Sequence, residues 1–187
     1  MTTLNGLPAH ILLVHLIVVL LPLAALLLVL STVWPAARRR LAAANALLSV
    51  VVVALVPITT DAGEWLEGRV ASTPLLRTHT EIGDTAIYVA LPVALLAVIV
   101  WWRERESRVV RPDSDPMPMT DGGATKIETR TTPQRVYLAP LSTVVTAVLA
   151  ALSIIAAGAV AYDVYRIGDS GAQAVWQGQF GSTPAGR

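Results

Sequence analysis

The chain has 187 residues, of which 54% are hydrophobic and 14% charged, and its mean hydropathy is +0.60. It is far more apolar than an ordinary soluble domain. Its net charge of +1 does not indicate a basic surface for binding nucleic acid. Cysteine is absent, which excludes disulfides, cysteine-ligated iron–sulfur clusters, thiolate zinc sites and a covalently attached c-type haem.

Four apolar segments are long enough to cross a bilayer, which takes about 20 residues. We place them at residues 8–34, 41–58, 82–102 and 138–162. The first lacks a basic leader and is followed by Arg38-Arg39-Arg40 rather than by a small-residue cleavage site, so we interpret it as a retained span. The sequence therefore predicts an all-α, polytopic membrane protein: a single domain of four transmembrane helices in an up-down bundle within the lipid bilayer.

Basic residues are concentrated in two connections. The turn between the first two spans carries three arginines, and residues 103–137 carry seven of the 14 basic residues of the chain. Positive-inside bias places both connections in the cytoplasm and both termini outside, as expected for a bacterial inner-membrane protein. Because residues 103–137 are rich in Pro, Gly and Asp, we expect a disordered cytoplasmic linker there.

The outer segments are predicted to be helical. Ser72-Thr73-Pro74 is typical of an N-cap followed by proline, so the third helix is predicted to begin near Pro74 and to run past Trp102. The second helix is predicted to extend through Glu67, which makes a helical hairpin outside the bilayer. In the outer tail, residues 163–187, Gly168 predicts a helix stop before a short interfacial helix over residues 171–177.

The three histidines, His10, His15 and His79, are the candidate cofactor-binding residues. An ionisable side chain within a span is costly and marks a site by default. His10 and His15 lie about 140° apart around a helix, so they face different neighbours. Because bundles build cofactor sites from facing helices, we expect His15 and His79 to form the cross-helix pair, with His10 in support. The alternative for each is a neutral imidazole hydrogen-bonded within the bundle.

One b-type haem, or one metal ion, near the outer face is the expected cofactor. All three histidines lie on the predicted outer half. Methionine is another possible axial ligand, and after Met1 it occurs only in the linker, at Met117 and Met119, so two stacked haems do not fit. A metal ion bound by histidine together with Asp61 or Glu64 is the alternative. Three further carboxylates are candidates for orienting an imidazole through a hydrogen bond: Asp84, Asp163 and Asp169.

Four motifs follow one another along the chain. They are Gly6-Leu7-Pro8-Ala9-His10 with His15, Thr60-Asp61-Ala62-Gly63, His79-Thr80-Glu81-Ile82-Gly83-Asp84, and Gly168-Asp169-Ser170-Gly171-Ala172-Gln173-Ala174-Val175-Trp176. Together they resemble a bacterial membrane family, the domain of unknown function numbered twenty-two thirty-one, over nearly the whole chain. The resemblance implies a four-helix inner-membrane domain without an established activity, with some relatives joined to electron-transfer modules such as Rieske domains. Members often carry His where Asp169 stands, which leaves His10, His15 and His79 as the matching histidines.

Three functional hypotheses follow. The first is a haem- or metal-binding subunit associated with a membrane redox complex. The second is a structural or accessory subunit without a cofactor, and the third is a component of proton or solute transport, for which a homo-oligomer would complete the path. The sequence has no nucleophile motif, phosphate-binding loop or cofactor fingerprint, which disfavours an enzyme acting by itself.

Overall fold

The computed structural model describes residues 3–4, 7–110, 138 and 142–176. A two-residue antiparallel pair, β1 (Thr3–Leu4) and β2 (Leu7–Pro8), precedes the helices. The helices are α1 (Ala9–Val33), α2 (Pro35–Glu67), α3 (Pro74–Gly83), α4 (Ala86–Val110) and α5 (Thr143–Trp176).

Four helical stretches in the described chain are long and apolar enough to cross a membrane. They are Ala9–Val33, Pro35–Glu67, Pro74–Arg108 (α3 followed by α4) and Thr143–Trp176. Large aliphatic side chains on their outer faces stay uncovered; Leu47 is 66%, Leu95 63% and Ile155 68% exposed. Faces of this kind suit a lipid environment and are costly in water. The predicted all-α fold with four membrane-type helices is confirmed.

Local chemistry sets two of the helix starts. Trp34 is extended, with φ −120° and ψ 107°, because a residue before proline avoids the helical region, and Pro35 then takes the first position of α2. Thr73 caps α3, since its hydroxyl accepts a hydrogen bond from the backbone N–H of Leu76 at 3.2 Å, and Pro74 follows it. The N-cap predicted at residues 72–74 is therefore confirmed, as is the extension of α2 through Glu67.

The long helices close into a bundle in which α1 packs on α2 and α5, and α4 packs on the same two helices. The core is aliphatic, with Leu21, Leu28, Val52, Val93 and Val160 at most 1% exposed. Buried alanines on α1 and α4 let the helix backbones approach closely, which is how helices associate in a membrane: Ala24, Ala25, Ala90 and Ala97.

Asn45 ties α1 to α2 inside this core. It is 1% exposed, and its side-chain amide donates to the Ala24 carbonyl at 3.1 Å while its carbonyl oxygen accepts from the Leu28 N–H at 3.2 Å. Ala24 and Leu28 are also partners in the backbone ladder of α1, so Asn45 supplements an existing hydrogen bond instead of leaving a buried amide unsatisfied.

The third span and the linker begin and end elsewhere than predicted. The helix that starts at Pro74 is not continuous past Trp102: α3 ends at Gly83, and the Thr85 N–H donates to the Ile82 carbonyl at 3.0 Å in a tight turn before α4. Residues 103–110 of the predicted linker belong to α4 because several of their charges are paired inside the fold. Residues 111–137 lie outside the described part of the chain.

The last helix also differs from the prediction. The fourth segment, placed at 138–162, starts as a helix only at Thr143, and α5 then runs without a stop at Gly168 to Trp176. Asp169 and Ser170 bond within the helix instead of starting a new one. The Asp169 carboxylate accepts from Gln173 Nε2 at 2.9 Å, and the Ser170 hydroxyl donates to the Ile167 carbonyl at 3.0 Å. Residues 177–187 of the predicted outer tail lie outside the described part.

Candidate histidine site

His10, in the first turn of α1, lies against α2. Its Nδ1 is 3.0 Å from the backbone carbonyl oxygen of Thr59. Because a carbonyl oxygen only accepts, Nδ1 carries the hydrogen, and in the neutral ring Nε2 keeps its lone pair. The sequence predicted a supporting role for this residue, and the structure gives it a defined partner on another helix.

Gly63, one turn after Thr59 on α2, makes room for the His10 ring. A Cβ added at Gly63 would lie 2.9 Å from His10 Cε1 and 3.0 Å from Nδ1, closer than real contacts allow. The imidazole therefore lies directly against the backbone of α2, and a side chain at position 63 would displace it.

His79, on α3, lies against α5 in the same manner. Its Nδ1 is 2.9 Å from Ser170 Oγ, and the single Ser170 proton is donated to the Ile167 carbonyl. Nδ1 of His79 and Ser170 Oγ are thus hydrogen-bonded to each other, with the direction of donation set by the tautomer of the ring. A Cβ added at Gly171 would lie 3.1 Å from His79 Cε1, so this ring too lies against a glycine of the facing helix.

His10 and His79 are electrostatic neighbours. His79 precedes the predicted span at 82–102, and burial lowers its pKa below the ordinary 6.5. The nearby charge of His10 lowers the pKa further, while a hydrogen bond to the Ile167 carbonyl raises it. The structure thus brings His10, rather than His15, into interaction with His79.

His15 is placed differently from the other two histidines. It is exposed on the outer surface of α1, and its Nδ1 donates to the Ile11 carbonyl of its own helix at 2.6 Å. This local bond is neither the predicted pairing with His79 nor a hydrogen bond to another helix of the bundle.

The candidate carboxylates are separate from the imidazoles. Asp61, Glu64 and Asp84 are exposed, and within the described residues none is hydrogen-bonded to a histidine. Asp169 is also exposed and bonds to Gln173 on its own helix. These four side chains are therefore not placed to orient a histidine directly.

Asp163 is the one candidate carboxylate buried in the bundle, at 5% exposure. Its Oδ1 accepts from the Thr85 hydroxyl at 2.7 Å, and its Oδ2 is buried without a partner among the described residues. Asp163 lies on the same face of α5 as Ile167 and Ser170, one and two turns before them. Asp163 therefore shares a helix face with the partners of His79, but its own hydrogen bond is to Thr85.

The donor set limits what this site is able to hold. Among the described residues, no group of three or more His, Asp or Glu side chains is arranged to hold a metal ion. Haem iron needs only two axial ligands from the protein, whereas a structural zinc ion usually takes four. Two imidazoles therefore match the number of axial ligands that a haem iron takes from a protein and fall short of the four ligands of a structural zinc ion.

The sequence motifs include Gly63, Ser170 and Gly171, but none of these residues was predicted to position a histidine, and Thr59 was missed altogether. Two patterns could have indicated them: Thr59-x3-Gly63 on α2 and Ser170-Gly171 on α5. In each, a hydrogen-bonding residue and a glycine lie close together on the helix. The sequence prediction also missed the buried charges at the opposite end of the bundle, where Arg103 and Glu104 are 5% and 6% exposed.

Comparison with known proteins adds no assignment to this geometry. No family model, curated protein or solved structure matches the chain.

Proposed function

We propose that this protein is a subunit of membrane electron transfer whose outer end binds one b-type haem through His10 and His79. The observation that carries the proposal is the shared placement of the two rings: Nδ1 of each is hydrogen-bonded to an oxygen of a facing helix, at 3.0 Å for His10 and 2.9 Å for His79. Metal-ligating histidines almost always have this arrangement, because the outer hydrogen bond fixes the tautomer and the ring orientation.

The chain's own residues have separable tasks in this proposal. Thr59 and Ser170 orient the two imidazoles, and Gly63 and Gly171 let them lie close to the helix backbones. A bound haem would supply one-electron transfer. We further propose that the protein resides in a bacterial plasma membrane with both termini outside, as the arginine distribution predicts, and that a redox complex is its partner.

The test is an absorption spectrum and a metal analysis of the detergent-purified protein after expression with added haem precursor. We expect a Soret band that disappears in His10→Ala and in His79→Ala. His15→Ala is the matched control, since it removes the third histidine from an exposed position and should keep the band. Wild-type protein without a Soret band or bound metal, or a band that depends equally on His15, would overturn the proposal.

A second candidate function, proton transfer through the bundle, is favoured by buried oxygens without partners. Asp163 Oδ2, Ser49 Oγ and Ser31 Oγ are of this kind among the described residues, and unpaired polar atoms inside a membrane bundle mark functional paths. Proteoliposomes loaded with a pH-sensitive dye test it: Asp163→Asn should abolish a proton flux, and wild-type vesicles without flux would exclude it.

A further inference from the structure

A polar cleft lies at the arginine-rich end of the bundle, away from the histidines. All four long helices contribute to it, and its polar lining consists of Thr32, Arg38, Arg103, Ser107 and Thr146. The remaining lining is aliphatic. The enclosed part holds only about 10 Å³, about one water molecule, so a larger ligand would lie at the mouth.

Arg103 holds the walls of this cleft in place through hydrogen bonds. The side chain is 5% exposed, and its guanidinium donates to the Leu138 carbonyl at 3.1 Å, the Ser142 carbonyl at 3.4 Å and Thr146 Oγ1 at 3.3 Å. These bonds attach the end of α4 to the start of α5. Arg103 therefore contributes positive charge to the cleft while its donors hold the helices together.

Arg38 is the cleft residue whose N–H donors are available to a ligand. Its Nε donates to Glu104 Oε2 at 3.3 Å, and its side chain is 23% exposed, but its two terminal nitrogens have no hydrogen-bond partner among the described residues. Glu104 is shared with Arg108, whose Nε is 3.2 Å from Oε1. Glu104 thus faces two guanidinium groups and Glu106 lies near Arg103, which leaves three arginines against two glutamates around the cleft, an excess of positive charge and of N–H donors.

The hydroxyls of the cleft are able to turn towards a ligand. Thr32 donates to Val29 O, Ser107 to Glu104 O and Thr146 to Ser142 O, at 2.8, 2.8 and 3.0 Å. Each acceptor lies three or four residues earlier on the same chain, a local bond of modest worth. Rotating such a hydroxyl towards an oxyanion therefore exchanges a weak hydrogen bond for a stronger, charge-assisted one.

We propose that this cleft binds a phosphate group, with the headgroup of an anionic phospholipid as the favoured source. The cleft lies beside the corner between α1 and α2, where α1 ends at Val33 and the arginine-rich start of α2 follows. That is the level of lipid headgroups, and basic pockets between membrane helices on the cytoplasmic side bind anionic headgroups. Its shallow form suits a headgroup whose acyl chains stay in the bilayer. The proposal is independent of the histidine site.

The experiment compares thermal unfolding of the protein in nanodiscs of phosphatidylcholine with and without phosphatidylglycerol, and with inorganic phosphate added. Phosphatidylglycerol should raise the Tm in a concentration-dependent manner. Arg38→Gln should weaken the apparent affinity roughly tenfold or more, because it removes charge-assisted hydrogen bonds. It leaves Glu104 paired with Arg108, and Arg39→Gln is the charge-matched control on an exposed neighbouring residue.

Each outcome decides a part of the proposal. A rise in Tm with phosphatidylglycerol that is lost in Arg38→Gln and kept in Arg39→Gln supports the lipid source. The same Arg38-dependent rise with inorganic phosphate alone assigns the site to free phosphate. No rise with either ligand, or an equal loss in Arg39→Gln, overturns the proposal. If Arg38→Gln does not fold, Ser107→Ala must weaken binding a few-fold, since it breaks no ion pair.

Discussion

Replacing Gly63 with alanine tests whether the His10 ring lies against α2. The added Cβ would be 2.9 Å from the ring, so either the packing is strained or the ring moves away. Strain from overpacking costs about 1–3 kcal/mol. Moving the ring gives up the hydrogen bond to Thr59, which costs about 0.5–1.5 kcal/mol and is the cheaper response.

The same substitution also stabilises the helix. Alanine in a helix interior is favoured over glycine by about 0.8–1 kcal/mol, which offsets the loss at His10. We therefore expect Gly63→Ala to change the free energy of unfolding by close to zero. Gly158→Ala is the matched control, because an added Cβ there meets no atom within 4 Å, and it should stabilise by about 1 kcal/mol.

Two measurements distinguish these expectations. Unfolding in one detergent gives the difference between Gly63→Ala and Gly158→Ala, which should be about 1 kcal/mol in favour of the control. Nitrogen and proton NMR of the imidazoles should show the Nδ1–H signal of His10 shifted in Gly63→Ala alone. Equal stabilisation by both substitutions, with the His10 signal unchanged, would refute the placement of the ring.

Four further outcomes follow from the same contacts. Gly171→Ala, whose Cβ would lie 3.1 Å from the His79 ring, should behave between Gly63→Ala and Gly158→Ala in the same unfolding assay; an effect larger than that of Gly63→Ala would contradict the geometry. Asn45→Ala should destabilise by about 1 kcal/mol because two cross-helix hydrogen bonds are lost, and an unchanged denaturation midpoint would argue against them. Glu104→Gln should cost about 1–3 kcal/mol, less than a fully buried pair because Arg38 is partly exposed, and the loss should shrink if Arg38→Gln is already present. Since burial, and then the charge of His10, lowers the pKa of His79 below 6.5, stability should be complete above that pH and fall as the pH drops through the lower folded pKa; His79→Gln should flatten the dependence of Tm on pH in this range.

The choice of histidine pair shows how far the sequence alone reaches. Apart from His15, residues 11–30 are apolar around the whole circumference of α1, so no amphipathic stripe indicates which side faces the bundle. The spacing correctly separates His10 from His15 but does not say which of them turns inwards. Only the packing of α1 on α2 places His10 at Thr59 and Gly63 and leaves His15 exposed.

The charged residues after Trp102 give a second example. Arginine and glutamate in alternation are typical of a solvated segment, and they predicted the start of a linker. In the structure α4 continues through them, with Glu104 paired to Arg38 on α2 and Arg103 bonded to the start of α5. A buried charge is stable only where its partners converge, and these partners lie far away along the chain.

The sequence by itself determined the number of spans, the all-α class and the start of α3, because hydropathy over about 20 residues and N-cap chemistry are local properties. The tertiary structure decided which histidine lies near His79, where α5 ends and which arginines line a cleft. Those features depend on the rotation of each helix about its axis and on contacts between residues distant in sequence. The sequence of a uniformly apolar helix indicates neither of them.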